Sequence, residues 1–204
     1  MNGPEAFLGR GGHASADAFD RDFERALIVR IGGGDLVAFE QLYRRFHPRL
    51  MRFLLSVTHR PTIVEEVLND TMVVIWEKAD AYRGESRLET WIFAIAYRKA
   101  LRALQRQDIP VEAGVADLDD AYEPAPDQAL GQSQSHRRLI EAMAMLSADH
   151  RAVIDLTYFH GLHYRDIAVV MECPVDTVKT RMFHARRRLR ALMAGEREDW
   201  LWDG

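Results

Sequence analysis

An all-α chain of two small helical domains joined by an acidic flexible linker, the second a helix-turn-helix, is expected from three observations. Apolar residues recur at three- and four-residue spacing along most of the 204 residues, and no stretch alternates convincingly with period two. Residues 107 to 132 interrupt that pattern with seven acids, no base and three prolines. Near the C-terminus, two helical patterns are separated by only Glu172, Cys173 and Pro174, too few residues for anything but a tight turn.

The elements follow in order. Residues 1–16, rich in Gly, Ala and polar residues, are expected to lack fixed structure. Phe19, Phe23, Leu27 and Ile31 predict a short amphipathic helix. The glycines at 32 to 34 lack the preceding strand and following Lys-Ser/Thr of a phosphate loop, so they form a turn, with Asp35 capping the next helix. That helix carries Leu36, Phe39, Leu42, Tyr43 and Phe46 on one face, meets Pro48 and is expected to restart as far as Val57.

Thr62 to Glu65 reads as a capping box opening a helix through Lys78, with Val67, Leu68, Ile75 and Trp76 on its apolar face. Ser86 to Glu89 reads as a second, opening a helix to Arg106. Domains are thus expected at 17–106 and 134–193, with a linker at 107–133 and an acidic tail at 194–204. The second domain divides into helices at 134–146, 148–159 behind the cap Ser147, 163–171 and 175–193, with Gly161 suited to a left-handed helix end.

Charge is segregated. The chain carries 27 basic against 31 acidic residues, a formal net charge of -4, yet residues 35–106 hold 12 bases against 9 acids and residues 136–193 hold 10 against 6. Two mildly basic blocks flank an acidic strap. The single cysteine excludes an intramolecular disulfide and fits a reducing compartment. No signal-peptide core and no apolar run of membrane-spanning length is visible, so a cytoplasmic protein without membrane insertion is expected.

Enzyme chemistry finds no footing. There is no nucleophile elbow, Walker motif or paired carboxylates on rigid elements, and the spacing of His160, His163 and Cys173 fits no common metal motif. No catalytic residue, metal or cofactor is therefore expected. Nucleic-acid chemistry has two footholds. Along 175–193, Val175, Val178, Met182, Ala185, Leu189 and Leu192 form one apolar stripe. Opposite lie Asp176, Thr177, Lys179, Thr180, Arg181, His184, Arg187 and Arg188, where side chains near the helix start can reach base edges and later arginines can hold phosphates. A solvated amphipathic helix would share that composition, but the tight-turn partner helix favours a DNA reader. On the 86–106 helix, Arg87, Trp91, Arg98 and Arg102 share one side with Lys99 and Arg106 beside them, a basic stripe ending in an aromatic that suits single-stranded DNA. A core tryptophan among solvated arginines is the plainer reading of the same stripe.

HYRDIAVVMECPVDTVKTRMFHARRRLR, residues 163–190, closely resembles the C-terminal DNA-binding region of extracytoplasmic-function (ECF) sigma factors of bacterial RNA polymerase, a branch of the sigma-70 superfamily. VEEVLNDTMVVIWEKADAYRGESRLETWIFAIAYRKALRAL, residues 64–104, resembles their N-terminal domain, and the two motifs occur in family order. The resemblance implies an alternative sigma factor that binds core RNA polymerase and directs initiation at a subset of promoters. Polymerase binding would fall to Glu66, Asn69, Asp70, Val73 and Trp76; the minus-ten element to Tyr82, Arg83, Arg87, Trp91, Arg98, Lys99 and Arg102; and the minus-35 element to the face of 175–190. It also implies a linker threaded through a basic polymerase channel, and an anti-sigma factor that covers exposed apolar residues such as Phe183. The chain departs from common family residues at Asn69, Tyr97-Arg98, His163 and His184. The competing readings are a free-standing helix-turn-helix regulator and a helical adaptor that binds only protein.

Overall fold

The structure, a computed structural model, describes residues 11–107 and 134–194, with side chains from 21 and from 137 onward. Every regular element among them is helical: α1 Gly11–Gly32, α2 Leu36–Thr58, α3 Pro61–Glu77, a 3-10 turn at Ala79–Ala81, α4 Leu88–Arg106, α5 Gln134–Ala144, α6 Ala148–Tyr158, α7 Tyr164–Val170 and α8 Val175–Met193. The acidic strap from 108 and the tail from 195 lie outside the described residues.

Several boundaries differ from expectation. Helix α1 reaches back to Gly11, so residues 11–16 are helical. Helix α2 runs unbroken through Pro48. Pro48 and Arg44 are both exposed, so water can meet the carbonyl that the missing N–H would have bonded. Neither capping box forms. The N-cap of α3 is Arg60 with Pro61 at the first helical position, which places Thr62 inside the helix. The N-cap of α4 is Arg87, whose guanidinium offers no acceptor to the helix amides, and the Glu89 carboxylate pairs with Arg49 of α2 rather than turning back to the helix start. Leu36, expected on the core face, is exposed.

The caps that do form set the entries. Asp35 accepts from the amides of Ala38 and Val37 at 3.0 and 2.9 Å. The Ala38 amide and then the Arg30 side chain hold its carboxyl below the usual range. Ser147 accepts from His150 N at 3.3 Å at the start of α6.

Helices α1 to α4 form one bundle. Its centre is Leu42, Phe46, Leu50 and Phe53 of α2, Ile63, Val67, Leu68 and Ile75 of α3, and Ile92, Phe93 and Ala96 of α4, all buried. The Phe53 and Phe93 rings meet edge-on at 5.1 Å between centroids. Helix α1 lays Leu27, Ile28 and Ile31 against α2 and the 3-10 turn, and buried Glu24 pairs with Arg45 at 3.3 Å. In the second half, α6, α7 and α8 bury Ala152, Val153, Leu156, Ile167, Val170, Val178, Met182 and Ala185 together.

The two halves are not separate beads. Helix α6 packs along α2 and α7 along α4, and the buried apolar cluster continues across the seam. The His160 side chain, 2% exposed, sits there with its ring 4.5 Å from Phe93 and 6.1 Å from Phe53. Its Nε2 is 3.0 Å from Asp155 Oδ1 but out of line for a hydrogen bond, so this is a close polar contact only.

Candidate functional site

The helix-turn-helix forms as its spacing requires. Val178, Met182 and Ala185 are buried and Val175 and Leu189 half-buried, which turns Asp176, Lys179, Thr180, His184, Arg187 and Arg188 outward. The turn into α8 is made by Glu172, whose φ of 50° lies in the left-handed region. On the outward face Lys179 pairs with Asp176 at 3.0 Å, and the Thr180 hydroxyl donates to the Asp176 carbonyl at 2.9 Å. Arg187 and Arg188 are exposed. Arg181 departs from the expected face: it is half-buried, pairs with Asp149 of α6 and lies 3.7 Å from Cys173 Sγ. Arg186, by contrast, folds over the Tyr158 ring at 5.5 Å.

Helix α3 carries the residues expected to bind polymerase. Glu66 and Asn69 are exposed, Val73 is 52% exposed, and Asp70 is half-buried. Trp76 packs edge-on against Phe39 at 5.3 Å, so it is anchored as well as partly open. The α3 acids touch the basic stripe of α4: Asp70 pairs with Lys99 at 2.9 Å and Glu66 with Arg106 at 3.0 Å. The residues expected to bind polymerase and those expected to hold a single strand therefore line adjacent sides of one ridge.

At the start of that ridge, the Tyr82 hydroxyl donates to the Ser86 carbonyl at 2.6 Å, and its ring lies 5.5 Å from Trp91. Both rings are half-buried against the core, and the part left exposed suits stacking on a base. Arg83 and Arg102 are exposed, whereas Arg87 is half-buried with its Nε lacking a hydrogen-bond partner. Further along, Arg98 pairs with Glu172 of the helix-turn-helix turn. Burial first, then the Asp149 carboxylate, push the Tyr97 phenol pKa upward, so it stays protonated and donates to Asp149.

No sequence signal points to the Tyr97–Asp149 and Arg98–Glu172 pairs. Their contacts join residues 52 and 74 positions apart, beyond any local periodicity. Among the described residues no His, Cys, Asp and Glu converge as a metal cluster, and no helix is long and apolar enough to cross a membrane.

Comparison with known proteins places these surfaces in a family. Residues 42–109 match the model of Sigma-70 region 2 and residues 136–189 that of Sigma-70 region 4. The chain is 31% identical over 163 residues to the ECF RNA polymerase sigma factor RpoE of Cereibacter sphaeroides, covering 78% of this chain and 88% of that one. It is 29% identical to the ECF RNA polymerase sigma-E factor of Haemophilus influenzae, covering 81% and 93%. Among solved structures, RpoE of Bartonella quintana in complex with the anti-sigma factor NepR matches with a TM-score of 0.57 and 31% identity over 78% of this chain and 98% of that one. CnrH in complex with the cytosolic domain of CnrY shares the fold, with a TM-score of 0.63 at 24% identity over 86% and 99%. The helical fold, the two matched regions in order and this likeness along most of both chains show that the protein belongs to the ECF family of RNA polymerase sigma factors.

Proposed function

We propose that the chain binds core RNA polymerase through the outer face of α3, captures the melted minus-ten strand along Tyr82 to Arg102, and reads the minus-35 element with α8. It acts by binding alone, without a chemical step of its own, in the cytoplasm where polymerase and promoters are. The observation that carries this reading is the pairing of two unlike basic surfaces. One is an aromatic-headed ridge fit for single strands; the other is a groove-sized helix behind a tight turn. Exposed Asp176 and Lys179, with half-buried Thr177, near the start of α8 support base-edge contacts, and exposed Arg187 and Arg188 further along support phosphate contacts.

The complex of the sigma factor RpoE of Bartonella quintana with the anti-sigma factor NepR supports an anti-sigma partner for this chain as well. Phe183, 61% exposed beside the reading face, and exposed Tyr158 and Phe159 at the C-terminal end of α6 are apolar groups such a partner would cover.

Affinity capture from the native cell tests the central reading. Core polymerase subunits should co-purify, and sequence preference should emerge only in the holoenzyme. A free chain that binds one duplex sequence tightly without polymerase would return the helix-turn-helix regulator to first place.

A further inference from the structure

Between the last two turns of α1 and the chain from Ala79 to Gly84 lies an open groove of about 290 Å3. That is about ten times the roughly 30 Å3 one water takes up in the liquid, which is room for one nucleobase. Its lining joins apolar Ile28, Val29 and Ala79 to Tyr82 and to the charges of Arg25, Asp80 and Arg83. No residue of α4 lines it, so it is distinct from the Tyr82–Trp91 ring pair at the head of the single-strand ridge.

The charges suit a nucleotide. Arg25 and Arg83 are exposed, and among the described residues neither is held in an ion pair, which leaves two cations for phosphates beside one acid. Arg25 also acts on the head of the ridge. Burial and then Glu24 raise the Tyr82 phenol pKa, and Arg25 opposes them. A strand stacked at Tyr82 therefore continues within electrostatic reach of α1.

Gly32 keeps the space open. Its φ is not in the left-handed region. A Cβ there would meet Asp80 N at 3.6 Å and the Ala79 Cβ at 3.9 Å, both ordinary contacts. Neither backbone nor packing demands glycine at this position. A longer side chain would lie against the lining of the groove and fill it.

Resting on the assignment of the Tyr82 to Arg102 ridge to the melted minus-ten strand, we propose that this groove is a second base site. It takes the unpaired nucleotide next to the one held at Tyr82 and Trp91. The apolar walls hold the base, and Arg25 and Arg83 hold its flanking phosphates. The Asp80 carboxylate, an acceptor only, takes a hydrogen bond from an exocyclic amine and so selects against thymine. Helix α1 thereby reads promoter sequence, although it precedes the region-2 match that begins at 42. A free nucleoside phosphate shares this chemistry; the strand is favoured because Tyr82 and Arg83 belong to both groove and ridge.

Initiation by the full chain with core polymerase, on templates randomised across the melted segment, tests this. Wild type should disfavour thymine about two- to tenfold, the range of one hydrogen bond, at a position adjoining the preference that Trp91→Ala weakens. Asp80→Asn, whose amide both donates and accepts, should erase that bias. Gly32→Leu should erase it too, without lowering the melting temperature, since leucine favours a helix more than glycine does. Arg25→Ala should keep the bias but weaken holoenzyme binding to a forked template. Its slope of log affinity against log salt should shrink by about 0.7, the share of one phosphate on a single strand. Equal base preferences in wild type, Asp80→Asn and Gly32→Leu overturn the inference. So does binding of free AMP or GTP that Gly32→Leu abolishes while template preferences stay equal, which makes a soluble nucleotide the ligand. If Trp91→Ala and Arg102→Ala also leave initiation unchanged, the ridge assignment fails first.

Discussion

The Arg151 guanidinium donates to the Val57 carbonyl at 2.7 Å, joining the second turn of α6 to the C-terminal end of α2 across 94 positions of chain. Arg151 is 8% exposed and also donates to the carbonyls of Ala144, at 3.2 Å, and Leu146. It serves as a shared C-terminal cap for two helices from different halves, which is why a buried cation without a carboxylate is stable there. Burial still pulls its pKa down to about 10, leaving it charged at neutral pH.

Arg151→Met keeps much of the apolar stem and removes all three donors. Leaving buried carbonyls unpaired should cost about 3 kcal/mol. Urea denaturation of the full chain measures this; a midpoint unchanged from wild type would mean that water replaces the guanidinium at all three carbonyls.

His59 makes stability depend on acidity. Burial, then repulsion from Arg151, lower its pKa from 6.5 to about 4. The folded state thus disfavours the proton that the unfolded chain accepts, so the contribution of this site is full above about pH 6.5 and is lost as pH falls toward about 4. Asn at 59 tolerates the left-handed φ of 53° and does not titrate. The melting temperature of His59→Asn should fall less than that of wild type between pH 7 and pH 4.5, approximately the window of the shift. Parallel curves would remove His59 as the cause.

Lys179 and Arg187 should differ in kind. Lys179→Ala should cost about 1–3 kcal/mol at the cognate minus-35 element and relax preference at one position. Arg187→Ala should weaken binding to all sequences alike and flatten the salt dependence. Arg181→Ala, which the sequence groups with Lys179, should also lower folding stability because its partner Asp149 is half-buried. Selection of promoters from a random pool by each holoenzyme separates the three outcomes.

The acidic strap yields a further prediction. Changing Asp117, Asp119, Asp120 and Glu123 to Asn and Gln removes four charges at constant length. A strap that occupies a basic polymerase channel should then alter holoenzyme salt resistance and the ratio of abortive to full-length transcripts, while promoter preference stays fixed. Unchanged transcript yields across a salt series would leave it as a solvated spacer.

Local chemistry made α8 and the tight turn before it readable: an apolar stripe and a three-residue gap are properties of neighbours. The capping boxes misled because Ser/Thr-x-x-Glu does not say which partner the glutamate prefers. Glu89 went to Arg49, 40 residues earlier, and Pro61 moved the start of α3 ahead of Thr62. Pro48 looked like a break because a proline rule is local, while the buried Leu42, Phe46, Leu50 and Phe53 on both sides of it hold one axis. The seam was invisible for the same reason: Arg98 and Arg181 read as free cations until their acids arrive from elsewhere in the fold.

Helix α1 changes how the first half can be treated as a part. Similarity to region 2 begins at residue 42, but Leu27, Ile28 and Ile31 are buried, and α1 abuts the 3-10 turn that leads into Tyr82. A chimaera cut at the similarity boundary would strip the back from the loop that presents Tyr82 and Arg83, and would bare the α2 face that α1 covers. The interchangeable module is therefore longer than the region-2 match, and promoter-swapping designs should carry the helix along even though it lies outside that match.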